Sequence, residues 1–185
     1  ACAWEDVSAA SGTITGKVEG TNFTGSLLVG HSTTGTLNAA SQNTGVGLTA
    51  LDAITSGDYN TAVGYGAATV LTSSSYNTLM GRNAAFSLTT GSGFNTYLGY
   101  SSGYYLGSGT ENTGIGSHAN QGTSGQNGNY NTAVGKSALL VAYGEYNIAL
   151  GRLAGDNITT GSGNVVIGKA DVSSATGDDQ LSISD

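Results

Sequence analysis

One five-residue phrase returns along almost the whole chain and limits what it can fold into. Its clearest copies are Asn60-Thr61-Ala62-Val63-Gly64 and Asn131-Thr132-Ala133-Val134-Gly135. Variants begin at Asn43, Asn77, Asn95, Asn112, Asn147 and Asn164, and Ser26-Leu27-Leu28-Val29-Gly30 is a degenerate first copy. The closing glycines are Gly30, Gly47, Gly64, Gly81, Gly99, Gly116, Gly135, Gly151 and Gly168, spaced by 17, 17, 17, 18, 17, 19, 16 and 17 residues. A fixed period near seventeen, with one strand-length phrase per period, is the pattern of a solenoid whose coils stack and bond to their neighbours. The fold expected is therefore all-β, a parallel β-solenoid (β-roll) of about nine coils. Residues 1–20 fall outside the clean repeat and read as an N-terminal connector or cap, with the repeat domain over residues 21–185. The absence of proline agrees with this, because a proline would remove a donor from the ladder between coils.

Aligning the coils on the glycine gives columns. The residue before it is always aliphatic or Met: Val29, Val46, Val63, Met80, Leu98, Ile115, Val134, Leu150 and Ile167. These are the expected structural core. A second aliphatic column seven residues after the glycine comprises Leu37, Ile54, Leu71, Leu88, Leu106 and Ile158. Small residues such as Ala67, Ala84 and Ala138 stand between the two columns, so the pattern predicts two short strands per coil around a narrow core. Strand alternation then puts each Thr on the inward side with the following Val, and the Asn and third residue outward or in a corner. The glycines are the expected turn residues, since Gly tolerates positive φ without a Cβ penalty. Aromatics commonly precede the Asn (Tyr59, Tyr76, Phe94, Tyr130, Tyr146), and stacked coils would align them as a ladder. A core this thin calls for partner chains, and a homotrimer, intertwined or packed, is expected.

Composition narrows the function. A net charge of −7 argues against a nucleic-acid partner, and the longest apolar runs are too short to span a bilayer. Cys2 is the single cysteine and forms no intrachain disulfide. The chain starts without Met, which reads as a processed form or a segment of a longer protein.

The phrases Asn60 to Ala67 and Asn131 to Ala138 resemble the repeats of tailed-bacteriophage tail fibres. The stretch Glu19 to His31 is similar to the start of such fibre regions, and Asp178 to Asp185 to the short strand that closes them. A more distant similarity is to the head repeats of trimeric autotransporter adhesins. Both resemblances imply a trimeric, elongated attachment structure, in the virion tail fibre or on a bacterial cell surface. Implied partners are further copies of the chain, other fibre proteins, and a host-surface polysaccharide or outer-membrane receptor. Some such fibres carry a C-terminal self-cleaving chaperone, which this sequence does not contain.

No catalytic constellation, metal set or cofactor motif stands out. The acid pairs Glu5-Asp6 and Asp178-Asp179 lie at opposite ends, whereas sugar hydrolysis needs two carboxylates flanking one bond. His31 and His118 are five coils apart, roughly 24 Å at strand spacing, and read as surface histidines. The informative column follows the glycine, where Arg82, Lys136, Arg152 and Lys169 hold four of the five basic residues. Such a stripe suits an anionic polysaccharide, or acids such as Asp58, Glu111, Glu145 and Asp156 across a subunit interface, the reading preferred here. A cluster of Tyr97, Tyr100, Tyr104 and Tyr105 is the second candidate glycan contact, against a bland role in local packing. The readings of function are a tail-fibre segment, an adhesin head and, least favoured, an ice-binding solenoid built on the Thr44 to Thr132 column. That last reading suffers if those threonines sit beside the core.

Overall fold

A computed structural model of the chain describes residues 8–9, 12–13, 16–20, 22–30, 34–90, 93–105, 107–124 and 128–184. Trp4, Cys2, His31, Leu106 and the Glu5-Asp6 pair lie outside them. The described chain is a parallel β-solenoid of about nine turns, without a helix. A small antiparallel pair, β1 (Ser8–Ala9) and β2 (Gly12–Thr13), comes first. Then β3 (Gly16–Gly20) pairs antiparallel with β4 (Phe23–Val29) and covers the open edge of the first coil. From β4 onward the ladder is parallel through β6 (Thr44–Val46), β7 (Thr61–Val63), β8 (Thr78–Met80), β9 (Thr96–Leu98) and β10 (Thr113–Ile115). It continues through β11 (Thr132–Val134), β12 (Ile148–Leu150), β13 (Val165–Gly168) and β14 (Leu181–Ser184). The two-residue β5 (Ala40–Ser41) joins β4 off this path. Register keeps each phrase in step: Thr61 sits against Thr78 and Val63 against Met80.

After the coil closed by Gly47, each coil contributes one strand to this sheet among the described residues, not the two expected. The other side of the coil is a chain of turns in which the second and fourth residues after the glycine take positive φ, as at Asn83 (57°) and Ala85 (48°). This alternation aims successive N–H groups at opposite neighbours. Asn83 N donates to Tyr65 O in the coil before at 2.8 Å, and Ala85 N to Ser102 O in the coil after at 2.8 Å. The backbone is thus satisfied without a second strand, which is why a strand reading of this half fails.

On the strand side the inside of the coil is the reverse of the expectation, while the small-residue column and most of the second aliphatic column are buried as expected. Leu28, Ala62, Leu79, Tyr97, Ala133, Ala149 and Val166, the middle residues of the strands, are buried, with the Ala50, Ala67, Ala84 column and Ile54, Leu71, Leu88 and Ile158. The supposed core column faces outward. Val46, Met80, Leu98, Ile115, Leu150 and Ile167 are exposed, and Val29, Val63 and Val134 are half-buried. The reason lies one residue further back. Asn43, Asn60, Asn77, Asn95, Asn112, Asn131, Asn147 and Asn164 are all buried, and an inward Asn forces Thr out, the next residue in and the aliphatic out.

Burial of these amides is tolerated because they hydrogen-bond to one another. Asn43 Oδ1 accepts from Asn60 N and Nδ2, each at 3.0 Å, and Asn60 Nδ2 also reaches Ser74 O at 2.9 Å. Ser26 Oγ opens the ladder by accepting from Asn43 N, and Gln180 closes it on Asn164 Oδ1. The turn glycines are where expected, with φ from 94° to 138°. Close stacking adds a second demand, since a Cβ on Gly47 would lie 2.7 Å from the carbonyl of Gly64.

Candidate functional site

The outward face of the sheet carries four parallel columns, one of which holds Arg82, Lys136, Arg152, Lys169 and Tyr100. The first is the residue just before each Asn. Tyr59, Tyr76 and Phe94 stack at 4.9 and 4.8 Å with planes within 7°, and Tyr130 stacks on Tyr146 at 4.7 Å. Glu111 takes the same position between the two stacks. All six have positive φ, so they mark one corner of the coil. The second column is the outward Thr of each strand, and the third is the aliphatic residue before the glycine. The fourth is the post-glycine column at the other corner.

That fourth column holds the predicted basic stripe. Arg82, Lys136, Arg152 and Lys169 are exposed there, together with Leu48, Tyr65 and Tyr100. Arg82 is already engaged: its guanidinium lies 5.6 Å from the Tyr65 ring and 5.5 Å from Tyr100, and it donates to Tyr100 Oη at 3.3 Å. Lys136, Arg152 and Lys169 continue the line without such a stack. His118 is half-buried rather than solvated, edge-on to Tyr100 at 5.0 Å.

The tyrosine cluster does not assemble. Tyr97 points inward and is fully buried, so it is no glycan contact. Strand position decides this, because Tyr97 is the middle residue of β9 while Tyr100 follows the glycine. Tyr104 and Tyr105 lie on the turns opposite the sheet, where Tyr104 stacks on Phe86 at 5.0 Å and meets Tyr105 edge-on.

Inside, Tyr97 occupies space that Gly103 and Gly114 leave open, since a Cβ on either would lie 2.7 Å from its ring. Its hydroxyl faces Asn120 and Asn112, yet neither it nor the Asn120 amide has a partner in hydrogen-bond geometry, and burial pushes the phenol pKa far up. Among the described residues the buried apolar side chains form two clusters, one ending at Tyr97 and the other starting at Ala119, with buried Ser102 and Asn112 between them in the chain.

The electrostatics of the two corners differ. Glu111 first, then Tyr146, partial burial and Glu145, raise the pKa of Tyr130 at the aromatic corner. Asp58, Glu145 and Asp178 lie one residue further back and accept hydrogen bonds from Ser41, Asn129 and Ser162 respectively. The expected partner Asp156 is elsewhere, on the turns, where burial and then Asp171 raise its pKa. Among the described residues no group of three or more His, Cys, Asp or Glu is placed to hold a metal ion, and no helix is long and apolar enough to cross a membrane. No protein-family model, no curated protein and no solved structure matches this chain.

Proposed function

We propose that this chain is a shaft or receptor-binding segment of a trimeric tail fibre, which gives the virion reach and attaches it to a host-surface polysaccharide or outer-membrane receptor. The reading assigns the chain no catalytic step and no cofactor. The observation that carries it is the outward aliphatic column, Val46 to Ile167, on one continuous parallel sheet. A contiguous exposed apolar strip of this kind marks an interaction surface. A further copy of the chain is the partner that suits it, because only a surface with the same coil spacing keeps matching it along the whole array. The test is mass by light scattering, with cell binding in parallel. Three times the 18.3 kDa chain, together with saturable binding to host cells, supports the reading; a monomer that ignores cells overturns it. A bacterial trimeric adhesin head would share the assembly, and a C-terminal membrane-anchor barrel in the full reading frame would favour it.

A second reading gains from one observation. Thr44, Thr61, Thr78, Thr96, Thr113 and Thr132 line the outward face after all, as an ice-binding surface requires. Against it, the other outward residue of each strand is aliphatic, and Ile148 and Val165 replace Thr in the last coils. Thermal hysteresis in a solution of the monomer would establish it.

A further inference from the structure

The two corners of the sheet face are complementary in the coils closed by Gly64, Gly81, Gly99, Gly135 and Gly151. In the coils closed by Gly135 and Gly151 the pre-strand corner presents Tyr130, Glu145 and Tyr146 beside Glu111, and the post-strand corner presents Lys136 and Arg152. In the coils of Gly64, Gly81 and Gly99 the pre-strand corner is the stack Tyr59, Tyr76 and Phe94. The post-strand corner of the same coils is the sandwich Tyr65, Arg82 and Tyr100. Within one chain the corners cannot meet, because five residues centred on the strand separate them, at most roughly 20 Å for six steps of ~3.3 Å. Another copy can bring them together.

We propose that copies of this chain pack side by side, parallel and level, with the aromatic and acidic corner of one against the basic corner of the next. This deepens the oligomer of the preceding section and rests on it. The contact is heterologous, one patch meeting a different patch, and such a contact closes into a ring when the rotation allows it. Three copies then turn the aliphatic columns toward a shared axis. Closure by pure rotation keeps every coil at its own height, so Tyr130 meets Lys136 of the neighbour and Tyr146 meets Arg152. Stacking covers the ring faces that meet within each ladder and leaves the ring edges, which carry the tyrosine hydroxyls, exposed. The cations accordingly donate to phenolic oxygens and to Glu145, with Glu111 one coil away from Lys136, as charge-assisted hydrogen bonds.

Paired cysteines test the register. In a Cys2→Ser background, Tyr130→Cys with Lys136→Cys should oxidise to a covalent species of three chains that reduction returns to one. Tyr59→Cys with Lys136→Cys, four coils apart, should stay mostly uncrosslinked. Light scattering under reducing conditions accompanies both, so a variant that has merely lost its assembly is recognised. A trimer that fails to crosslink at 130/136, or crosslinks equally at 59/136, overturns the pairing and leaves the trimer standing. A monomeric parent overturns both. Lys136→Ser with Arg152→Ser should lower the salt concentration at which the oligomer dissociates by at least twofold. The same double variant with unchanged assembly but lost attachment to cells would make the stripe a glycan contact and overturn the pairing.

Discussion

The side-chain oxygen of Asn60 accepts two hydrogen bonds from Asn77, one from its backbone nitrogen at 3.1 Å and one from its amide at 2.8 Å. Asn77 Oδ1 does the same for Asn95 at 3.1 and 3.0 Å. A buried polar ladder of this kind ties every coil to the next at the same corner. Asn77→Ala should therefore destabilise by roughly 1–3 kcal/mol for each buried partner it leaves unsatisfied. Thr78→Ala, on the outward face, should cost about 0.5 kcal/mol or less. Urea melts of the two variants, compared at a concentration where the chain is monomeric, check this; equal midpoints would mean the ladder contributes little.

The inversion of inside and outside gives a second pair. Ala133 is fully buried and Val134 faces outward. Ala133→Asp should destabilise the monomer by on the order of 4 kcal/mol, since it buries an unpaired charge. Val134→Asp should leave the monomer close to wild type and act on assembly instead. Thermal melting over a hundredfold range of protein concentration separates the two effects.

Glycine and its mimics behave differently by position. Gly135 has a φ of 135°, and an added Cβ would run into the carbonyl of Gly151. Gly135→Ala should thus lower stability by roughly 3 kcal/mol or more, combining steric overlap with backbone strain. Ala85 has a φ of 48°, a left-handed conformation that costs a non-glycine residue ~1–2 kcal/mol. Relief of that strain offsets the extra chain entropy in Ala85→Gly, which should melt within about 1 kcal/mol of wild type. Calorimetry on both variants provides the comparison.

Removing the unpartnered phenol should do no harm. Tyr97→Phe keeps the ring that fills the coil and deletes a buried hydroxyl without a partner, so the melting temperature should hold or rise. Tyr97→Ala should cost about 3–5 kcal/mol through the cavity it opens. A clear loss in Tyr97→Phe would mean the hydroxyl is bonded in solution.

Asp156 supplies a pH dependence. Burial and Asp171 raise its folded pKa, so its stabilising contribution is complete below the unfolded value near 3.9 and is lost as pH rises through the folded one. At pH 7 the folded chain carries the penalty. Asp156→Asn should therefore raise the melting point at pH 7 and give no gain near pH 3. Partial exposure and salt screening keep the effect within about 1 kcal/mol. An equal gain at both pH values would assign it to another cause.

The solenoid, its period and its parallel register were legible in the sequence because each depends on spacing alone. Glycines seventeen residues apart stack whatever else the coil does, and the aromatic ladder follows from the same arithmetic. Which side faced inward was not legible. Two aliphatic columns and a polar Asn suggest Val134 inside and Asn131 outside, since a lone buried amide is costly. An array of amides is a different object, because each Asn supplies the partners of its neighbour, and a partner seventeen residues away is visible only after the coil closes. The true inward column also disguises itself. Its members range from Gly45 and Gly114 to Tyr97, because a large residue fills the space its small neighbour in the next coil leaves open. Sequence alone therefore determined the repeat and the order of the columns around the coil. The tertiary structure decided their direction, because satisfying the Asn ladder fixes the phase of every strand and leaves the aliphatic residues on the outer face.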